Sequence, residues 1–150
     1  MKLEPLFSYY ANLEPAIEIG TTPFGTRIFV EVSGGEFSGD RLKGKFRNLA
    51  AADWATMTQN FLHLDVRATM ETHDGALIYL EYFGKLEVTE GVQAALGGQG
   101  ETNFGDHYFF TSPRMQTGDE RYLWVNNIVC VGQGRLSPGR VDYDVCQVVN

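Results

Sequence analysis

The chain has 150 residues with a formal net charge of -7, and it contains no cluster of Lys or Arg. This charge pattern argues against a nucleic-acid-binding surface or a surface for anionic membranes, and the length suits one domain, residues 1–150, with a substantial core. No apolar run is long enough for a membrane span or a signal peptide, so we expect a cytoplasmic protein. With 17 glycines, 13% aromatic residues and no long helical periodicity, the composition favours an all-β fold.

The first third of the chain shows strand patterns separated by turn residues. Leu3–Asn12 is predicted as a first strand, Glu14–Gly20 is consistent with a second, and Thr26–Val32 alternates as a third. The glycine-rich stretch Gly34–Gly44 lacks the helix start and the Lys-Ser/Thr pair of a phosphate-binding loop. We therefore expect its glycines at strand ends and bulges.

The segment Phe46–Asn60 interrupts the alternation, and its alanine-rich centre is too short for an independent helix. We predict an ordered crossing loop here. Asp53 and Trp54 on such a loop are candidate site residues. The alternative is that Asp53 caps a turn and Trp54 plugs one end of a barrel.

The clearest pattern is a β-hairpin over Leu62–Gly84, with its turn at His73-Asp74-Gly75. A three-residue loop ending in Gly75 gives one fully apolar face and places Arg67 opposite Glu81. A two-residue loop, Asp74-Gly75, would move charged residues beside Ile78 and Leu80, so the three-residue loop is preferred.

The second face of this hairpin mixes charged residues with Leu77, Tyr79 and Phe83. Such a face suits either the wall of a polar cavity or a solvated sheet surface with salt bridges. The sequence does not decide between them.

The last third is predicted to hold one short helix and three more strands. The helix lies within Glu87–Gly98 and ends at the paired glycines. The strands are Asp106–Ser112, closed by Pro113, then Arg121–Gly132, and then Val141–Val149 after a Ser137-Pro138-Gly139 turn. Cys130 and Cys146 fall on the last two strands, and we expect free thiols.

Together these elements make eight to ten strands in consecutive hairpins, without repeated βα units. Such a meander closes most economically into a barrel or a strongly curled sandwich, because either leaves few strand edges exposed. We predict a single-domain antiparallel β-barrel with at most one or two short helices. A barrel of about eight strands can hold one small ligand.

Several motifs occur in an order that resembles one known family. They are Ile19-Gly20-x-x-Pro23-x-Gly25-x-Arg27, Gly34-Gly35-x-Phe37-x-Gly39-x-x-Leu42-x-Gly44, Ala52-Asp53-Trp54, Leu64-Asp65-Val66-Arg67, Asp74-Gly75-Ala76-x-Ile78-Tyr79, Tyr108-Phe109-x-Thr111-Ser112-Pro113, Thr117-Gly118 and Tyr122-x-Trp124-x-Asn126. In combination they resemble the DUF3237 family, also called UPF0311, over nearly the whole chain.

The resemblance implies a small β-barrel and, from the small-molecule genes found near some members, a cavity for an organic ligand. The chain departs from the family pattern at Ala50-Ala51, where glycines are common, and at Asn60-Phe61, where Asp-Gly is common. Both departures flank the segment that carries Asp53.

No familiar catalytic or metal-binding signature is present. His63-x-Asp65 supplies only two potential ligands, so we expect no metal and no other cofactor. If the mixed hairpin face lines a cavity, a desolvated carboxyl there would act as base, Arg67 would bind an oxyanion and Tyr79 would donate to a carbonyl. The catalytic candidates are Glu71, Asp53, Tyr79 and Arg67, and the ligand-binding candidates are Arg27, Trp54, Asp65, Tyr108, Trp124 and Asn126.

These residues suit cofactor-independent proton transfer on a carbonyl or aromatic metabolite, as in an isomerase, a cyclase or a lyase. Two alternatives stay open. One is a barrel that binds a small organic ligand without catalysis. The other is a structural protein whose apolar strands form a homo-oligomer interface.

Overall fold

A computed structural model describes residues 1–150 and contains nine strands, one α-helix and one 3₁₀ helix. In chain order they are β1 (Lys2–Leu13), β2 (Ile17–Thr22), β3 (Gly25–Ser38), β4 (Gly44–Met57), β5 (Phe61–Thr72), β6 (Leu77–Glu87), α1 (Glu90–Leu96), β7 (Phe109–Gln116), the 3₁₀ helix (Glu120–Asn127), β8 (Cys130–Ser137) and β9 (Arg140–Val149). Neither helix is long and apolar enough to cross a membrane.

The strands form one antiparallel sheet in the order β1-β9-β8-β7-β6-β5-β4-β3-β2, and β1 also pairs with β3. This last pairing closes eight strands into a barrel, while β2 lies outside on the first half of β3. Closure brings β1 very near β3, and a Cβ at Gly35 would lie 2.0 Å from the carbonyl oxygen of Tyr10. The prediction of an antiparallel barrel of eight to ten strands is confirmed.

The central hairpin has the predicted register, with Arg67 opposite Glu81. The backbone N–H of Gly75 donates to the carbonyl of Thr72 at 3.0 Å, and Gly75 has a φ of 88°. A three-residue loop with a left-handed glycine therefore joins β5 to β6, and the two-residue alternative is excluded.

The apolar face of the hairpin points into the barrel. Met70, Ile78 and Leu80 have no exposed surface, and Val66 is 5% exposed. They belong to a core of 30 buried residues drawn from every strand except β2. The mixed face consequently lies on the outside, so the solvated-surface interpretation holds and the cavity-wall interpretation is wrong.

The predicted crossing loop over Phe46–Asn60 is also wrong, because most of this segment is strand β4. Its register with β5 shifts between Phe46 and Ala51, and Leu49 within that bulge has a left-handed φ of 61°. The bulge breaks the alternation of apolar residues, so the local sequence hides the strand. Hydrogen bonds from β3 and β5 on both sides hold it in place.

The predicted short helix within Glu87–Gly98 is confirmed as α1, which the Thr89 side chain caps by accepting from the backbone N–H of Val92. The strand predicted over Asp106–Ser112 instead spans Phe109–Gln116 and runs through Pro113. This proline lies beyond the part of β7 that pairs with β8, so no hydrogen bond from its backbone nitrogen to β8 is required there.

The strand predicted over Arg121–Gly132 is only partly correct. Its first half is the 3₁₀ helix, which Asp119 caps by accepting from the backbone N–H of Arg121. The second half is the start of β8. Cys130 and Cys146 are free thiols, as expected.

The two ends of the barrel are covered differently. At the end that holds the β5–β6 turn, the 3₁₀ helix supplies buried Tyr122 and Val125, and Leu42 is 1% exposed. Arg41 stacks over the ring of Trp124 at 3.8 Å on the same side. At the other end, α1 contributes buried Val92 and Ala95. The first end is plugged by packed side chains, whereas the α1 end leaves an interior space.

Candidate functional site

An interior cavity of about 70 Å³ is lined by 15 residues, of which 14 are aliphatic or aromatic. Its walls include Leu64, Val66 and Val141, and Leu96 of α1 also contacts it. The remaining lining residue is Asp53, the only carboxyl, and no Lys, Arg or His takes part. A single acidic group therefore stands in an otherwise apolar chamber.

Strand pairing explains why the Asp53 side chain points inward. Asp53 lies between Val30 of β3 and Val66 of β5, both of which also line the cavity. The next residue, Trp54, faces the opposite way because side chains alternate along a strand. Sequence analysis named both residues but could not assign their faces, since β4 was not predicted.

The electrostatic environment of Asp53 raises its pKa from 3.8 to about 6. Burial is the main cause, because it disfavours the charged form. A hydrogen bond of 3.0 Å from the backbone N–H of Asp65 to Oδ1 of Asp53 opposes this effect, as does the charge of Arg27. The Asp53 carboxyl can accordingly gain or lose a proton near neutral pH.

Three tyrosines lie next to this carboxyl. The ring of Tyr143 stacks on Tyr9 at 4.9 Å and meets Tyr82 edge-on at 5.6 Å. Burial raises the pKa of each of the three phenols well above 10, and the charge of Asp53 adds to the increase. They remain protonated hydrogen-bond donors at neutral pH. The hydroxyl of Tyr9 is buried without a hydrogen-bond partner.

Sequence analysis missed these tyrosines, although one signal pointed to them. Tyr82 falls on the apolar face of the predicted hairpin, where the other members are aliphatic or glycine. A buried phenol needs a partner for its hydroxyl, so a tyrosine on such a face indicates a polar group inside the barrel.

Three of the four catalytic candidates lie on the outer surface. The Glu71 carboxylate pairs with Arg47 at 3.2 Å and Lys45 at 3.9 Å, and the Tyr79 hydroxyl donates to Glu81 at 2.9 Å. Arg67 lies 3.7 Å from Asp65. They do not share the cavity with Asp53, and a catalytic role for them, which stays a prediction, would require a site on the outer face.

Several ligand-binding candidates gather on the outside of β3–β5. Trp54 packs against Phe29 with ring centroids 5.5 Å apart, and Arg67 lies over the Trp54 ring at 5.3 Å. Phe29, Trp54 and Arg67 all border an open outer groove of about 550 Å³. Arg27 donates to the Thr56 hydroxyl at 2.5 Å. The backbone of β4 separates this group from Asp53.

The other candidates are dispersed. Tyr108 packs edge-on against Phe110 at 4.9 Å on the outer surface, and Trp124 lies under Arg41 at the plugged end. The amide of Asn126 accepts from the backbone N–H of Thr117 and donates to its carbonyl, which holds the loop before the 3₁₀ helix. Of all the candidates, only Asp53 lines the interior cavity.

A metal centre has no support in the side-chain arrangement, since no three His, Cys, Asp or Glu residues come close enough to hold an ion. The chemistry available at the cavity is that of one carboxyl and neighbouring phenols. The carboxyl can move a proton, and the phenols can donate to an oxygen atom.

Comparison with known proteins gives one family and several matching folds. The family described as "Protein of unknown function (DUF3237)" matches residues 1–148. A UPF0311 protein from Bradyrhizobium diazoefficiens is 31% identical, covering 96% of this chain and 94% of its own.

Two solved structures share the barrel. A conserved protein of unknown function from Rhodopseudomonas palustris has a TM-score of 0.89 at 28% identity and covers 99% of both chains. A protein from Penicillium herquei, described as an enzyme, has a TM-score of 0.71 at 18% identity and covers 99% of this chain and 94% of its own. The latter likeness concerns the fold alone.

Proposed function

This chain belongs to the DUF3237 family, and from that premise we propose that its barrel binds a small organic molecule and catalyses proton transfer on it without a cofactor. The substrate class is a carbonyl or aromatic metabolite, and the reaction is an isomerisation, a cyclisation or a lyase cleavage. Asp53 is the acid–base residue.

The observation that carries the proposal is the placement of Asp53 as the only carboxyl in an apolar cavity. A partly buried carboxylate without a cation beside it in the cavity costs stability, and an inward-facing position of this kind would ordinarily be filled by an apolar residue. A pKa of about 6 suits a general base near neutrality, since the group is largely ionised yet still basic enough to accept a proton.

The tyrosines supply the complementary half of the chemistry. When Asp53 removes a proton from the carbon next to a carbonyl, negative charge develops on the carbonyl oxygen. A phenol that stays protonated can stabilise that charge by donating a hydrogen bond, and Tyr82 and Tyr143 both line the cavity. A carboxylate base combined with tyrosine donors is a known solution for such reactions.

A non-catalytic binding barrel is the second candidate. The walls are almost wholly apolar, which suits retention of a ligand as well as its conversion.

The description of the Penicillium herquei protein as an enzyme is in keeping with a reaction inside a barrel of this shape. It does not identify the reaction.

The test uses deuterium uptake, which reports proton abstraction before the final reaction is known. The protein is incubated in D₂O with cyclohexanone, 2-cyclohexenone or acetophenone, and deuterium at the carbon next to the carbonyl is measured by mass spectrometry. We expect uptake above the buffer rate, and a loss of about a hundredfold or more in Asp53→Asn.

The matched control is Asp65→Asn, which keeps the backbone N–H that donates to Asp53 and removes only a nearby charge that adds to the raised pKa of Asp53. It should retain uptake. Ketone binding without any uptake would favour the non-catalytic barrel, and equal uptake by wild type and Asp53→Asn would overturn the role of Asp53. If none of the three ketones binds or takes up deuterium, this substrate class is rejected.

A further inference from the structure

We infer that the interior site accepts an uncharged compound of a single ring, and that Leu96 of α1 sets this size limit at the entrance. The inference rests on the same cavity as the proposed function. It concerns binding alone and holds whether or not the ligand is turned over.

The volume of the cavity limits the size of the ligand. A space of about 70 Å³ is about half the roughly 150 Å³ of an apolar cavity that holds a benzene ring. A single ring is therefore the largest compound that the site accepts, with part of the ring at the solvent-facing end beside Leu96. Pockets for larger ligands are several times bigger, at roughly 300–1,000 Å³.

The charges around the cavity limit the charge of the ligand. A bound anion would lie beside the Asp53 carboxyl without any Lys, Arg or His among the lining residues to neutralise it. An ammonium group would meet one carboxyl but has no lone pair to accept from the phenols of Tyr82 and Tyr143. It would also lose its water shell. A neutral carbonyl accepts from the phenols without a charge to desolvate, and a neutral hydroxyl can also donate to the Asp53 carboxylate.

The path into the cavity runs past the end of α1. The opposite end of the barrel is filled by Leu42, Tyr122 and Val125, all buried. Leu96 differs from its helix neighbours Val92 and Ala95 because it lines the cavity while 49% of its surface is exposed. Its side chain is thus the most exposed part of the cavity wall, although Leu13, Val30 and Asp53 are also partly exposed.

The experiment measures the affinities of four matched probes by isothermal titration calorimetry. They are cyclohexanone, cyclohexanecarboxylate, cyclohexylammonium and the fused two-ring ketone 2-decalone. We expect cyclohexanone to bind at least about tenfold more tightly than either charged probe, and at least about tenfold more tightly than 2-decalone. Equal or tighter binding of a charged probe, equal binding of 2-decalone, or no binding of cyclohexanone would overturn the inference.

Two variants test the entrance. Leu96→Ala should narrow the preference for cyclohexanone over 2-decalone by about fivefold or more, because it removes about three methyl-sized groups from the wall. Leu123→Ala is the control, since Leu123 is similarly exposed at 46% but lies on the 3₁₀ helix at the plugged end. An unchanged preference in Leu96→Ala, or the same change in both variants, would reject the role of Leu96.

The proposed function and this inference can fail separately. If cyclohexanone binds with the expected selectivity but takes up no deuterium, the catalytic proposal fails and the ligand class stands. If deuterium uptake depends on Asp53 yet charged or two-ring probes bind equally well, the ligand class fails and the catalytic proposal stands.

Discussion

The backbone N–H of Asp65 donates a hydrogen bond of 3.0 Å to Oδ1 of Asp53, across the ladder between β5 and β4. This bond fixes the carboxyl at the wall of the cavity and favours its charged form. Burial has the larger effect, so the pKa of Asp53 is raised rather than lowered. The second carboxyl oxygen is left to interact with whatever occupies the cavity.

The raised pKa of Asp53 makes stability depend on pH. Between 3.8 and about 6 the native protein holds this proton more tightly than the unfolded chain does. The free energy of unfolding should therefore fall as pH rises through this range, by up to about 3 kcal/mol. Asp53→Asn should abolish this part of the dependence and be more stable than wild type at about pH 7.5. Urea unfolding at several pH values measures both effects. The prediction would be contradicted if the free energy of unfolding of Asp53→Asn fell with pH as steeply as that of the wild type.

Glu71→Gln should leave deuterium uptake unchanged, because Glu71 lies on the outer surface with Arg47 and Lys45. Exposed ion pairs contribute little, so the stability should change by less than about 1 kcal/mol. A fall in uptake with unchanged stability would instead place the catalytic base on the outer face of the hairpin, as one sequence hypothesis had it.

Gly134→Ala should destabilise the barrel, because a Cβ at this position would lie 2.6 Å from the ring of Phe109. Phe109 lines the cavity and packs against Tyr143, so it cannot move freely. We expect a loss of about 1–3 kcal/mol in chemical unfolding. Gly118→Ala is the control, since its Cβ would have open space and its φ is not left-handed. A similar loss in both variants would show that the Phe109 contact is not the cause.

Tyr122→Phe should loosen the plugged end of the barrel. The Tyr122 hydroxyl donates to Asp74 at 2.8 Å and so links the 3₁₀ helix to the β5–β6 turn. Its removal should lower the midpoint of thermal unfolding by roughly 2–4 °C. Tyr79→Phe removes an exposed hydroxyl that donates to Glu81 and should have little effect. Equal shifts in the two variants would argue against the link.

Leu49→Gly should stabilise the protein although it removes a large side chain. Leu49 is fully exposed and has a left-handed φ of 61°, which glycine adopts without a steric penalty. We expect a gain of about 0.5–1 kcal/mol after the greater freedom of glycine in the unfolded chain is subtracted. Leu77→Gly, on an exposed position of β6, should lose stability instead. A loss in both variants would contradict the strain at Leu49.

The local sequence was sufficient for the features that depend on near neighbours. The alternation from Leu62 to Gly84 determined the hairpin register, because a shift by one residue would bury charged side chains. Gly75 determined the loop type, because its position demands a left-handed φ. The motifs also identified the family.

Tertiary structure decided where the chemistry lies. Leu77, Tyr79 and Phe83 suggested a cavity wall, but barrel closure buries the more apolar face of a strand pair and leaves the other outside. Strand β4 could not be predicted because the bulge at Leu49 breaks its alternation and its hydrogen bonds come from β3 and β5. The direction of the Asp53 side chain depends on that strand. Only the closed barrel brings Asp53 next to Tyr9, Tyr82 and Tyr143, which come from three other strands and share no local pattern with it.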